Sequence, residues 1–192
     1  MVVGEREAEI LRELEEGSYQ LLVEGILLSF DASSFENRLR SKLYKKMPCP
    51  LLLVKNLVGL SKIALLLEDY TDPRILFSTF FELAGSSTLH FDMFRVIHQK
   101  PGRLSFKKKA PESSNSALGR TDEFLAKANN VLEETGRHPL TVKTVRDTPA
   151  GIAETLQDYG LVVTGIPRQM AKNSPMLEVL SRVPSAVLLC WQ

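Results

Sequence analysis

Side chains able to exchange a proton or grip a ligand are few and scattered in this chain. Glu68 and Asp69 stand side by side where the apolar run Lys62–Leu67 ends, and they form the best acid/base pair on offer. A turn-capping role for Asp69 fits the same position equally well, because a short carboxylate accepts nearby backbone N–H groups in a loop. The three histidines, His90, His98 and His138, have no acid or cysteine at metal-ligand spacing and read as structural or surface groups. Cys49 between two prolines and Cys190 at the end of the last apolar run make no CxxC and read as packing residues. A disulfide framework or zinc site is therefore not expected, and a reducing, cytoplasmic setting fits. No serine sits in a GxSxG elbow. These observations point away from an enzyme.

Charge excludes further classes. Lys plus Arg number 24 against 23 for Asp plus Glu, a net charge of +1, so nothing calls for nucleic acid or an anionic membrane. The triple lysine Lys107–Lys109 reads as a solvated loop, since three charges contribute little once screened. The segment Leu51–Leu67 is interrupted by Lys55, Gly59 and Lys62 and falls short of the roughly 20 apolar residues of a spanning helix. The start, MVVGEREAEI, lacks the apolar stretch of a signal peptide. No membrane insertion is expected.

The elements that must position these groups follow from periodicity. Ile10, Leu11 and Leu14 share one face of a helix over residues 8–16, and Tyr19–Gly25 reads as a buried strand. A helix over 35–46 stops at Pro48 and Pro50, before a strand at Leu51–Val54. Lys62–Glu68 predicts a buried strand, and Asp72–Pro73 opens a helix to about Ala84. Thr88–Ile97 reads as a strand, and residues 101–120 have the composition of a flexible loop. Helices over 121–135, 148–158 and 176–183 then alternate with strands over 140–145, 159–165 and 186–190. Such alternation predicts an α/β fold, with a parallel sheet and helices on both faces.

The beginning of the chain repeats its end. Tyr19-Gln-Leu-Leu-Val-Glu-Gly25-Ile26 mirrors Tyr159-Gly-Leu-Val-Val-Thr-Gly165-Ile166, each after a helix and before a helix, a proline and an apolar strand. Residues 1–56 thus read as a partial copy, and 57–192 as a complete domain with its loop at about 101–120. A two-strand fragment of this size buries too little apolar surface to stand alone. It must pack on the complete domain, on another chain, or on further residues.

Lys62-Ile-Ala-Leu-Leu-Leu-Glu-Asp69-Tyr-Thr-Asp72 with its helix, Tyr159–Gly165 with its helix, and Val183-Pro-Ser-Ala-Val-Leu-Leu189 form an ordered set that resembles the universal stress protein family. Met47-Pro-Cys-Pro-Leu-Leu-Leu-Val54 resembles the family's closing strand more closely still. The resemblance implies a Rossmann-like, adenine nucleotide alpha hydrolase-like sheet of five parallel strands in the order 3-2-1-4-5. It also implies a homodimer joined through last-strand edges, and a ligand crevice at the switch point between the first and fourth strands. Asp69, Gly165 and Arg168 are the candidate nucleotide-binding residues there. ATP-binding members follow the fourth strand with a glycine series that admits phosphates close to the backbone. Here Arg168 holds the second glycine position, Glu178 and Val179 stand near the later ones, and no glycine follows Gly165. No cofactor is therefore expected. The resemblance favours a regulatory or interaction module acting through dimer or tandem interfaces, with a protein partner, over its alternative, a weak adenine-nucleotide sensor at the Asp69/Gly165 crevice.

Overall fold

The order of elements places an apolar strand before nearly every amphipathic helix, and the computed structural model arranges them as one sheet between two layers of helices. It describes residues 6–26, 32–56, 59–68, 71–84, 89–98, 115–134, 136–168 and 174–191. The strands are β1 (Leu22–Gly25), β2 (Leu51–Val54), β3 (Lys62–Leu67), β4 (His90–His98), β5 (Val142–Asp147), β6 (Leu161–Ile166) and β7 (Ala186–Trp191). The helices are α1 (Arg6–Glu16), α2 (Ala32–Leu39), α3 (Lys42–Lys46), α4 (Pro73–Ala84), α5 (Asn115–Glu134), α6 (Pro149–Thr155) and α7 (Pro175–Arg182).

Local chemistry accounts for several boundaries. Thr148 caps α6 by accepting from the Gly151 N–H at 3.3 Å, with Pro149 at the first helical position. Gly136 ends α5 at φ 67°, which lets the Arg137 N–H reach back to the Leu132 carbonyl at 2.8 Å. Three expectations need correction. The helix expected over 35–46 is two helices, α2 and α3, separated at Ser41, which is extended at φ −61°, ψ 160°. Helix α5 begins at Asn115, inside the stretch read as a loop over 101–120. Strand β1 is four residues long and half-exposed rather than buried.

The sheet also differs from the expected five strands. It has seven, in the order β1-β2-β7-β6-β3-β4-β5, and it is mixed. Strands β3 to β7 run parallel, as do β1 and β2 together, and the two groups meet where β2 pairs antiparallel with β7. The family order counted only the strands after Ser61; the apolar β2 shields the outer edge of β7 and carries β1 with it.

The registers make the seam symmetric. Leu22, Val23, Glu24 and Gly25 lie beside Leu51, Leu52, Leu53 and Val54. Val162, Val163, Thr164 and Gly165 lie beside Val187, Leu188, Leu189 and Cys190 in the same way. Across the seam Leu51 faces Leu189, Leu52 faces Leu188 and Leu53 faces Val187. A local two-fold axis through the Leu52–Leu188 pair therefore exchanges β1 with β6 and β2 with β7.

One apolar cluster covers the face under α1, α2, α3, α6 and α7, running without a break from Leu11 to Leu189. A second lies under α4 and α5, built on Leu76, Phe77, Phe80, Ala128 and Leu132. Among the described residues no helix is long and apolar enough to cross a membrane.

Candidate functional site

Parallel strands bring their carboxyl ends to one edge, and a ligand crevice opens where neighbouring connections diverge. Here that point lies between β3 and β6, where Leu66 is beside Thr164. Thr164 is fully buried and its hydroxyl reaches the Leu66 carbonyl at 3.4 Å, tying the two strands together. Gly165 follows within β6 and sits beside Cys190 of β7. Asp69, the carboxylate expected to complete the site, lies outside the described residues.

Glu68, just past β3, is turned inward. Its N–H donates to the Thr71 hydroxyl at 3.2 Å, and the Thr71 N–H returns to the Glu68 carbonyl at 3.0 Å. The Glu68 carboxylate, which is buried, lies 2.6 Å from Nε2 of the half-buried His98. Sequence reasoning missed this pair because strand pairing, not chain spacing, brings the end of β4 beside the end of β3. A carboxylate held on an imidazole can relay a proton, but this one is enclosed and part of the turn after β3. Among the described residues no group of three or more His, Cys, Asp or Glu is placed to hold a metal ion.

Arg168 follows β6 but does not point into the crevice. Its guanidinium donates to the carbonyls of Lys45 at 3.2 Å and Met47 at 2.9 Å, the unsatisfied C-terminal end of α3. Lys55 does the converse. Its ammonium donates to the carbonyls of Leu180, of Ser181 at 3.2 Å and of Val183 at 3.0 Å, at the end of α7. The local two-fold axis carries Lys45 onto Ser181 and Met47 onto Val183, so each half of the seam caps the matching helix of the other. Lys55 is half-buried, and that burial pushes its amine down to about 8.

A second polar cluster lies at the opposite, amino edge of the sheet. Asp92, buried in β4, accepts from the Tyr159 hydroxyl at 2.7 Å and from Lys143 Nζ at 2.5 Å, with His90 at 3.3 Å. Burial pushes its carboxyl up, but the Lys143 and Tyr159 hydrogen bonds, with the charges of Lys143 and His90, hold it below its ordinary 3.8. The stability it contributes is therefore complete above that ordinary value and is lost as pH falls through the lower, folded value. Asp92→Asn keeps an acceptor for Tyr159 and loses the charge, so urea unfolding at pH 7 should show a loss of about 1–2 kcal/mol. That loss should shrink in titrations carried below the ordinary carboxylate value. The two cysteines are buried, and burial raises both thiols.

No protein-family model and no curated relative matches the chain. Solved structures do. A universal stress protein from Archaeoglobus fulgidus DSM 4304 superposes with a TM-score of 0.64 at 14% identity, over 97% of this chain and 65% of that one. A putative universal stress protein from Pseudomonas aeruginosa UCBPP-PA14 gives 0.54 at 16% identity, over 95% and 66%. The chain shares its fold with universal stress proteins. A functionally unknown protein from Pseudomonas aeruginosa PAO1 matches over 99% of this chain and 69% of its own, with a TM-score of 0.58 at 16% identity. The chain thus spans about two thirds of the length of these structures.

Proposed function

We propose that this chain is a universal-stress-type regulatory or interaction module, a complete domain joined to a partial copy, that works through its interfaces and binds ATP poorly. The observation that carries this reading is the position of Arg168. It occupies the place of a phosphate-approaching glycine and spends its guanidinium on the Lys45 and Met47 carbonyls. A phosphate near Gly165 would meet a bulky residue whose charge is already directed elsewhere. The shared strand registers and the local two-fold axis support a tandem origin. In this reading, pairing between last strands is internal: β7 holds β6 on one side and β2 on the other. A protein partner or second copy would then meet another edge.

Calorimetric titration with ATP and AMP tests the proposal. The expected result is no saturable binding at millimolar nucleotide. Micromolar binding abolished by Asp69→Ala would favour the alternative, a divergent adenine-nucleotide sensor in the crevice.

A further inference from the structure

On the face of β1 that carries Leu22 and Glu24, a cleft of about 670 Å³ opens between α1 and the α2–α3 pair. That volume is within the roughly 300–1,000 Å³ of small-molecule sites. Ile10 of α1 and Leu22, both half-buried, give it apolar surface. Glu24 is also half-buried and accepts from the Arg38 guanidinium and the Tyr44 hydroxyl, while Arg38 Nε donates to the same hydroxyl at 3.1 Å. Burial pushes the Glu24 carboxyl up, and the charge of Arg6 on α1 opposes that.

The complete domain puts uncharged groups at the corresponding positions. The local two-fold axis carries Glu24 onto Thr164 and, as it carries Lys45 onto Ser181, Tyr44 onto Leu180. Thr164 and Leu180 are both 0% exposed, and Leu180 belongs to the apolar cluster there. Uncharged packing is therefore compatible with this framework. The Glu24–Arg38 pair adds little stability in its place, because desolvating the charges offsets most of their attraction. A charged cluster that the fold does not require, open to a cleft, is what a ligand site presents.

The charges around the cleft say which ligand. Arg6 and Arg38 stand against Glu7 and Glu24, so the lining is neutral but carries both signs. A bare anion such as a nucleotide phosphate meets the two carboxylates, and a bare cation meets the two guanidiniums. A molecule with both charges meets neither penalty. We infer that this cleft binds a small zwitterion with an aliphatic body, of the type of an aliphatic amino acid or its dipeptide. Glu24 takes the ammonium through acceptor sites beyond those used by Arg38 and Tyr44. Arg6 and the exposed Asn37 amide take the carboxylate, and Ile10 and Leu22 take the aliphatic side chain. A ligand held between α1 and α2 also reaches α7 of the complete domain, because α2 packs on α7.

Calorimetric titration of the full chain with L-leucine and with the dipeptide Leu-Leu is the test. Leucinamide and N-acetyl-leucine serve as probes that each lack one charge. One of the two zwitterions should saturate one site per chain with a Kd at or below about 1 mM. The singly charged probes should bind at least about tenfold more weakly. Arg6→Gln, at an exposed position that leaves folding intact, should weaken the zwitterion at least about fivefold and remove the discrimination against leucinamide. Glu24→Gln should remove the discrimination against N-acetyl-leucine, with circular dichroism checking its fold. The inference falls if neither zwitterion saturates, if the singly charged probes bind as tightly as leucine, or if both variants bind like the unaltered chain. Saturable binding of ATP that Arg6→Gln weakens would overturn it as well, by assigning the cleft to an anion.

Discussion

Replacing Phe35 by alanine is expected to destabilise the entire chain by about 3–5 kcal/mol, not merely to loosen its beginning. Phe35 is 1% exposed and lies in α2, which packs on α7. It belongs to the same apolar cluster as Leu51 and Leu53 of β2, Val162 and Ile166 of β6, and Met176 to Leu180 of α7. A cavity there removes contacts from both sides of the seam at once. Trp191, the single tryptophan, ends β7 and packs against this cluster, so its fluorescence reports from the β7 side of the seam. Urea unfolding followed at Trp191 should remain one transition and shift to lower urea in the variant. If residues 6–54 were merely appended, the Trp191 transition would stay put while a separate early step appeared in circular dichroism. That outcome would sink the integrated seam.

The second large effect concerns pH. Lys55 has its amine pushed from an ordinary 10.5 to about 8 by burial, which prevails over the three carbonyls it serves. Between those two values the unfolded chain holds more protons at this site than the folded one, so stability rises with pH. The rise attributable to Lys55 is at most about 3 kcal/mol, the full separation of the two values in free energy. Tyr159 acts in the opposite sense: burial and then its bond to Asp92 raise the phenol above its ordinary 10, so its contribution declines once pH passes that value. The two buried thiols oppose the rise as pH nears their ordinary 9.0. Stability measured from pH 7.5 to 8.5 should therefore climb, and the Lys55→Met chain should lack that climb. A parallel pH dependence in both proteins would show that the Lys55 charge is not confined at the end of α7.

What could be read from residues alone was the local chemistry. Thr148-Pro149 announces the start of α6 and Gly136 the end of α5, because capping and positive φ are properties of a few neighbouring residues. The alternation of apolar strands and amphipathic helices likewise conveys an α/β sheet with helices on both faces. Polar composition concealed the start of α5 at Asn115. The site was less legible. Glu68 and His98 meet only through the pairing of β3 with β4, and nothing in their own neighbourhoods signals it. Arg168 was visible as a cation after a strand, but the carbonyls it serves are at Lys45 and Met47, most of the chain away. The one available hint was the helix end before Pro48, which must find donors somewhere. Asp69 lies outside the described residues, so the carboxyl edge is known here through Glu68, Thr164 and Gly165.

The antiparallel seam also sets an order of events during synthesis. Strands β1 and β2 leave the ribosome well before Ala186–Trp191, the strand against which β2 comes to lie. At ordinary elongation rates the interval is on the order of ten seconds. Throughout it Leu51 and Leu53, fully buried in the finished protein, have no β7 to lie against. The nascent chain therefore carries a sticky segment while the intervening strands are made, and closing the seam is a long-range step. Holding factors that shield apolar segments during synthesis would find a target in β2, whose partner strand is made more than a hundred residues later.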